Sequence, residues 1–296
     1  MYSANNTHAL RKSAALSPCG RGLVLLGVCM GPSTPLPPAA ALARLVGLGI
    51  DGLWLSQQAF APGMRHLPGP LSPQAAGGPL AAQDPQQALA RQAQACGLAV
   101  LGDSALAAPG SCVSESGPLL RLQSCSTLWQ GEPLAPALHA ALACSFKLPA
   151  PQALCWMLDD GGLPAASAVR APRCAQVMLA LQLCLKGCHL MDSALAAGAS
   201  SWLAQFLAWR RQQAALTQGR MRLLPVHDNL LMLERSSPAQ KMLCAFNPSE
   251  RYVRHRLPSA WAGARLLPGS GLDGARLVQS QVDCDPWGAL FATLPG

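Results

Sequence analysis

Residues 84–103, DPQQALARQAQACGLAVLGD, decide the reading of the chain. Asp84 stands where an N-cap belongs and Pro85 takes the first helical position, while Ala88, Leu89, Gln92 and Cys96 recur at helical spacing up to Gly97. The pattern then changes. Residues 98–101, Leu-Ala-Val-Leu, are a short apolar run of the kind carried by a strand buried on both faces, and Asp103 falls at its carboxyl end. A helix that feeds a parallel strand, with an acid just past the strand, is the grammar of α/β proteins, which place their chemistry at that end.

The same grammar lies upstream. Residues 38–49, PAAALARLVGLG, read as a helix stopped by glycines, and residues 50–56, IDGLWLS, as the strand that follows. Residues 22–29, GLVLLGVC, give an earlier strand. Downstream, residues 133–143 are helix-prone, residues 154–158, LCWML, are a strand that ends in Asp159-Asp160-Gly-Gly, and residues 174–186 form a strongly apolar helix. Residues 119–123 read as a helical remnant and residues 126–129 as a short strand ahead of Gly131-Glu132. Residues 61–83 and 104–118, rich in small residues, Pro and Gly, read as loops.

Residues 202–216 make an amphipathic helix, with Leu203, Phe206, Leu207 and Trp209 set against Arg210, Arg211 and Gln212. Beyond Gly219 the period drops to two. Residues 221–224, 230–234, 241–246, 252–257 and 290–294 read as antiparallel strands, with turns at Asp228-Asn229, residues 236–238 and Asn247-Pro-Ser. The expected organisation is a polar, disordered segment over residues 1–20, an α/β domain over 21–219, and a small β-domain over 220–296.

Composition narrows the function classes. With 296 residues, half of them hydrophobic, the chain can bury a sizeable core. Its net charge of +8 is sparse, densest at Arg210-Arg211 and residues 251–256, and no aromatic-interleaved basic platform or zinc-finger spacing goes with it, so nucleic acid is not the expected partner. The 12 cysteines are scattered without regular spacing in a chain too long to need a disulfide framework, which fits a reducing, cytoplasmic compartment. Cys184, Cys188 and His189 would gather at one helix end, but an apolar helix buries such cysteines as small hydrophobes, so neither a metal nor a cofactor is expected. No run reaches 18 apolar residues, and none of the short apolar stretches is flanked as a signal peptide is, so no membrane contact is expected either.

The order of elements and the letters themselves resemble glycoside hydrolase family 13, the α-amylase and α-glucosidase clan. Three stretches carry the likeness: residues 45–56 (LVGLGIDGLWLS), residues 88–103, and residues 202–249 with FLAWRRQQAAL and LCAFNPS. The resemblance implies a (β/α)8 barrel, here incomplete or distorted, followed by a carboxyl-terminal antiparallel β-sandwich. It implies action on α-linked glucosides, with an α-glucan or oligosaccharide as ligand. That chemistry needs an Asp nucleophile, a Glu that protonates the leaving oxygen and a further Asp that holds sugar hydroxyls.

This chain departs from the pattern at most of those places. Asp103 matches the family's third-strand Asp, a sugar-side contact, but the Asn-His expected four and five residues on is Ala107-Ala108. No Arg-x-Asp motif for the nucleophile occurs between Ser104 and Trp129, so the fourth strand is missing. Gly131-Glu132 resembles the motif that bears the general acid, which makes Glu132 the catalytic relic; an equally open reading is a solvated loop acid. Asp160, Gly161 and Gly162 stand at the Asn-His-Asp of the seventh strand, leaving Asp160 as a weak substrate-side contact. The expectation is a family relative with little or no turnover, or a non-catalytic carbohydrate- or protein-binding form, of undetermined oligomeric state.

Overall fold

The computed structural model describes residues 22–29, 37–56, 85–102, 120–124, 134–146, 153–158, 172–191 and 201–294. Strand and helix alternate at first: β1 (Val24–Cys29), α1 (Ala39–Leu48), β2 (Gly52–Ser56), α2 (Pro85–Ala95), β3 (Ala99–Gly102), β4 (Leu120–Ser124), α3 (Leu134–Ser145), β5 (Ala153–Leu158), α4 (Pro172–Cys184) and β6 (Cys188–Met191). Helices α5 (Ser201–Arg211) and α6 (Ala214–Gln218) follow. The chain then turns to short strands: β7 (Arg220–Leu223), β8 (Leu231–Ser237), β9 (Gln240–Phe246), β10 (Val253–Arg256), β11 (Arg265–Leu266), β12 (Ala275–Val278), β13 (Gln281–Cys284) and β14 (Ala289–Thr293).

The first six strands form one parallel sheet in the order β3-β2-β1-β6-β5-β4. The first and last of them, β1 and β6, are therefore neighbours, and β3 and β4 are the two edges among the described residues. Alternate residues serve opposite faces. Val24, Leu26, Leu53, Leu55, Trp156 and Met191 pack into the cluster made with the helices, while Leu25, Trp54 and Leu190 turn the other way and are buried as well. Burial on both faces is why the strands read as unbroken apolar runs. At the edge of β2, Gly52 is required by space, since a Cβ there would stand 2.7 Å from the Ala99 carbonyl oxygen. Helix α1 ends where Gly49 takes φ +100° and its N–H reaches the carbonyls of Leu45 and Val46.

The later strands form two antiparallel sheets, β11-β14-β9-β8-β7 and β10-β13-β12. The larger is buried on both sides. Leu231, Leu233, Met242, Cys244, Phe246 and Phe291 face the helices and join the same cluster as the parallel sheet. Met232, Leu243, Ala245, Leu290 and Ala292 face the smaller sheet, where Val253, Leu257, Trp261 and Val282 meet them. Aromatic rings seal the first face: Phe291 lies 4.7 Å from Trp209, 6.0 Å from Phe206 and 5.8 Å from Phe246, centroid to centroid.

Three expectations change. Residues 119–123 are not a helical remnant, and the fourth strand expected to be missing is present: Leu120–Ser124 is strand β4, in parallel register with β5 from Leu120 opposite Ala153 to Ser124 opposite Met157. Leu-Arg-Leu-Gln alternates with period two, and pairing with β5 decides it. The single helix over residues 202–216 is two helices. Gln213 breaks it with extended backbone, and its side-chain amide donates to the Trp209 carbonyl while its oxygen accepts from Gln240 Nε2. The other end of the Gln240 amide accepts from the Ala215 N–H, so a hairpin residue holds the break and starts α6. Finally, the Cys184, Cys188 and His189 group does not share a helix end, because α4 stops at Cys184 and β6 begins at Cys188 after Gly187 with φ +125°. Among the described residues no cluster of three His, Cys, Asp or Glu side chains is placed to hold a metal. The expected disorder of residues 1–20, the cap Asp84, the loops at 61–83 and 104–118 and the strand at 126–129 lie outside the described residues.

Candidate functional site

Six parallel strands give the molecule two unlike ends. The carboxyl end is where such sheets present ligand-binding loops. Asp103 is the residue after the last of β3, Asp159 and Asp160 follow β5, and Glu132 lies two positions before the first residue of α3. All four lie outside the described residues, as do Ala107, Ala108, Gly161 and Gly162. The strands that lead to Asp103 and Asp160 point the same way, and β2, β1 and β6 stand between them in the sheet.

The amino end carries a polar network, partly exposed at Asp51 and Arg211 and buried at Arg210 and Arg235. Asp51, just before β2, accepts the Val24 N–H through Oδ2 at 2.9 Å and Arg211 Nη2 through Oδ1 at 3.1 Å, and Arg211 also donates to the carbonyls of Val46 and Ile50. Beside it Arg210 donates from Nε to the Leu183 carbonyl at 2.8 Å. From the five-stranded sheet, Arg235 donates to four carbonyls: Ala215, Leu216, Gly219 and Cys184. One guanidinium thus satisfies the orphan end of α6 and the last residue of α4 together.

Neither Arg210 nor Arg235 meets a carboxylate among the described residues, and both are almost fully buried. Burial pulls Arg210 down to about 10 and lowers Arg235 as well. His189 lies between them on β6 with neither ring nitrogen hydrogen-bonded among the described residues, and Arg210 Nη2 is likewise without a partner there. Burial first, and the two guanidiniums second, hold the imidazole well below its ordinary value, so it is neutral near pH 7. This arrangement fixes the base of the sheet. The sequence pattern sets Arg210 against the apolar residues of its helix, and the structure corrects this: Arg210 is buried beside them, and the overlooked signal is its spacing three residues beyond Leu207 and four beyond Phe206.

Set beside known proteins, this architecture is that of the α-amylases. It superposes on a noncanonic maltogenic α-amylase, AmyB, of Thermotoga neapolitana with a TM-score of 0.60 at 10% identity, covering 92% of this chain and 98% of that one. A variant of AmyP in complex with maltotriose gives 0.60 at 10% identity over the whole of both chains. At such identities the likeness is one of fold. The sequence carries the match further: 92 residues, 30% of the chain, are 33% identical to a probable α-glucosidase of Rhizobium meliloti (strain 1021), and the match spans 16% of that protein's length. No protein-family profile matches the chain. The chain is thus similar in fold to these amylases and, over that stretch alone, similar in sequence to the probable α-glucosidase.

Proposed function

We propose that this chain is an α-glucosidase-like protein that keeps an α-glucan or oligosaccharide as ligand and hydrolyses it with little or no turnover. In this reading the six parallel strands, within residues 21–219, are what remains of a (β/α)8 barrel, and residues 220–296 are its carboxyl-terminal β-sandwich. Glu132 is the relic of the general acid, and Asp103 and Asp160 are the remaining contacts on the sugar side.

One observation carries it. β3 and β4 are the edges of the parallel sheet among the described residues, and from Ser104 to Trp129, β4 included, no Arg-x-Asp sequence supplies a nucleophile. A retaining displacement needs two carboxylates about 5 Å apart, on opposite sides of the scissile bond. Removing one member of such a unit costs several orders of magnitude in rate. Ala107 and Ala108 in place of Asn-His, and Gly161-Gly162 in place of His-Asp, take away hydrogen bonds that strengthen in the transition state. One surviving acid can still contact a sugar, but it cannot carry out a two-carboxylate cleavage. The cytoplasm is the compartment this reading assigns. No helix among the described residues is long and apolar enough to cross a membrane.

The test is glucose release from maltose and from an aryl α-glucoside, with maltotriose binding followed by calorimetry on the same preparation. The expected result is a rate no higher than that of the Glu132→Gln variant, together with saturable heat from maltotriose. Turnover that vanishes in Glu132→Gln overturns the loss of activity, and the absence of any maltotriose binding overturns the ligand.

A further inference from the structure

Two buried thiols meet where the helices rest on the five-stranded sheet. Cys184 is the last residue of α4, Cys244 lies in the middle of β9, and α4 packs directly on β9. Both side chains belong to the cluster that joins the parallel and antiparallel sheets, and the Cys184 thiol adds to burial in raising the Cys244 thiol. The register confirms the approach. Cys244 is paired with Leu233, and Arg235, two residues along the same face of β8, reaches the Cys184 carbonyl at 2.9 Å. No disulfide is formed among the described cysteines.

We propose that Cys184 and Cys244 are a redox-convertible pair, joined into a disulfide across this junction when the protein meets a low-molecular-weight disulfide such as glutathione disulfide. The Cys184 sulfur attacks one sulfur of glutathione disulfide, a mixed disulfide forms and one glutathione leaves. Cys244 then attacks the Cys184 sulfur and releases the second glutathione. Two thiol protons and two electrons pass to the oxidant, which ends as two molecules of glutathione. Arg210 and Arg235 stand beside the Cys184 sulfur, so the negative charge carried by the sulfurs during exchange meets cations rather than hydrocarbon alone.

Burial sets the rate. Both thiols are enclosed, and burial pushes the Cys244 thiol well above its usual value, so exchange proceeds through transient opening of the junction and is slow beside that of the exposed Cys144. The product links residues 60 positions apart (244 − 184), a loop long enough for the cross-link to restrict the unfolded chain substantially.

The experiment incubates the full chain with glutathione disulfide, alkylates remaining thiols under denaturing conditions, and maps peptides by mass spectrometry. Expected are early glutathionylation of Cys144, a later cross-linked peptide joining Cys184 to Cys244, and a Tm several degrees higher that dithiothreitol reverses. The Cys244→Ala chain should lose both the cross-link and the reversible rise in Tm. Recovery of Cys184 and Cys244 as alkylated thiols after Cys144 is fully modified overturns the proposal, as does a cross-link between another pair.

Discussion

The amino and carboxyl ends of the parallel sheet are held by different means. At the amino end, backbone carbonyls left over by α4 and α6 are taken up by Arg210 and Arg235, Asp51 takes the first N–H of β1, and aromatic rings from α5 and β14 close over the junction. At the carboxyl end, the chain passes from strand ends into the stretches that carry Asp103, Glu132 and Asp160. One end sets charged side chains on backbone groups; the other carries the acids that the proposed function assigns to the sugar side. Damage to stability and damage to ligand recognition are therefore expected to come from opposite ends of the same strands.

The largest effect expected at the amino end is from Arg235. In Arg235→Ala four carbonyl oxygens lose a donor in a buried place, that of Ala215 keeping another in the Gly219 N–H, and losing a buried charged hydrogen-bonding group of this kind costs about 3–5 kcal/mol. Urea unfolding of the two chains measures it. A midpoint unchanged from the parent would mean that water replaces the guanidinium and that the junction is open. Glu132→Gln, by contrast, is expected to leave the midpoint where it was.

A somewhat smaller effect separates one folding unit from two. The parallel and antiparallel sheets share a cluster that includes Leu26 of β1 and Phe246 of β9. Leu26→Ala, at 6% exposure, and Leu243→Ala, fully buried on the far side of the five-stranded sheet, should each cost about 2–5 kcal/mol. Both are expected to lower the same single calorimetric transition, because the shared cluster couples the sheets. Two transitions, each sensitive to one variant only, would show that residues 220–296 unfold independently.

How much of this was legible beforehand follows from where the information lies. Helix α2 and strand β3 stood out because a proline start, a glycine stop and a change of period fall within 20 residues. The hairpin of β8 and β9 was equally plain from alternation and its Pro238 turn. Strand β4 was missed because only its partner β5 makes its five residues a strand, and β6 because Cys188 and His189 were weighed with Cys184 as a group at the helix end rather than as the start of a four-residue strand. The break at Gln213 depends on an amide 27 residues away, beyond the reach of any local pattern. At the carboxyl end the letters named Asp103, Glu132 and Asp160, but only against a family pattern; composition and spacing alone marked nothing but acids after strands.

The smallest effect turns on His189, and its sign follows from linkage. The folded chain holds this imidazole neutral through burial and the nearby Arg210 and Arg235, whereas the unfolded chain protonates it near pH 6.5. Above that pH neither state takes up the proton and stability is at its full value. As pH falls below it the unfolded state gains a proton that the folded state refuses, so stability declines, by at most about 1.4 kcal/mol for each pH unit for one such group, until the depressed folded value is reached. The group facing His189 from α5 is Arg210 and from β8 is Arg235, both charged throughout this range, so neither titrates in its place. In His189→Leu the pH dependence between about 6.5 and 5 should flatten relative to the parent. Stability at pH 7.5 should stay nearly unchanged, because an imidazole with two unpartnered nitrogens gives way to hydrocarbon of similar size. Urea midpoints of the two chains across that pH range provide the measurement. Parallel curves would mean that His189 reaches water in the folded chain, and the amino end would then be less closed than its hydrogen bonds describe.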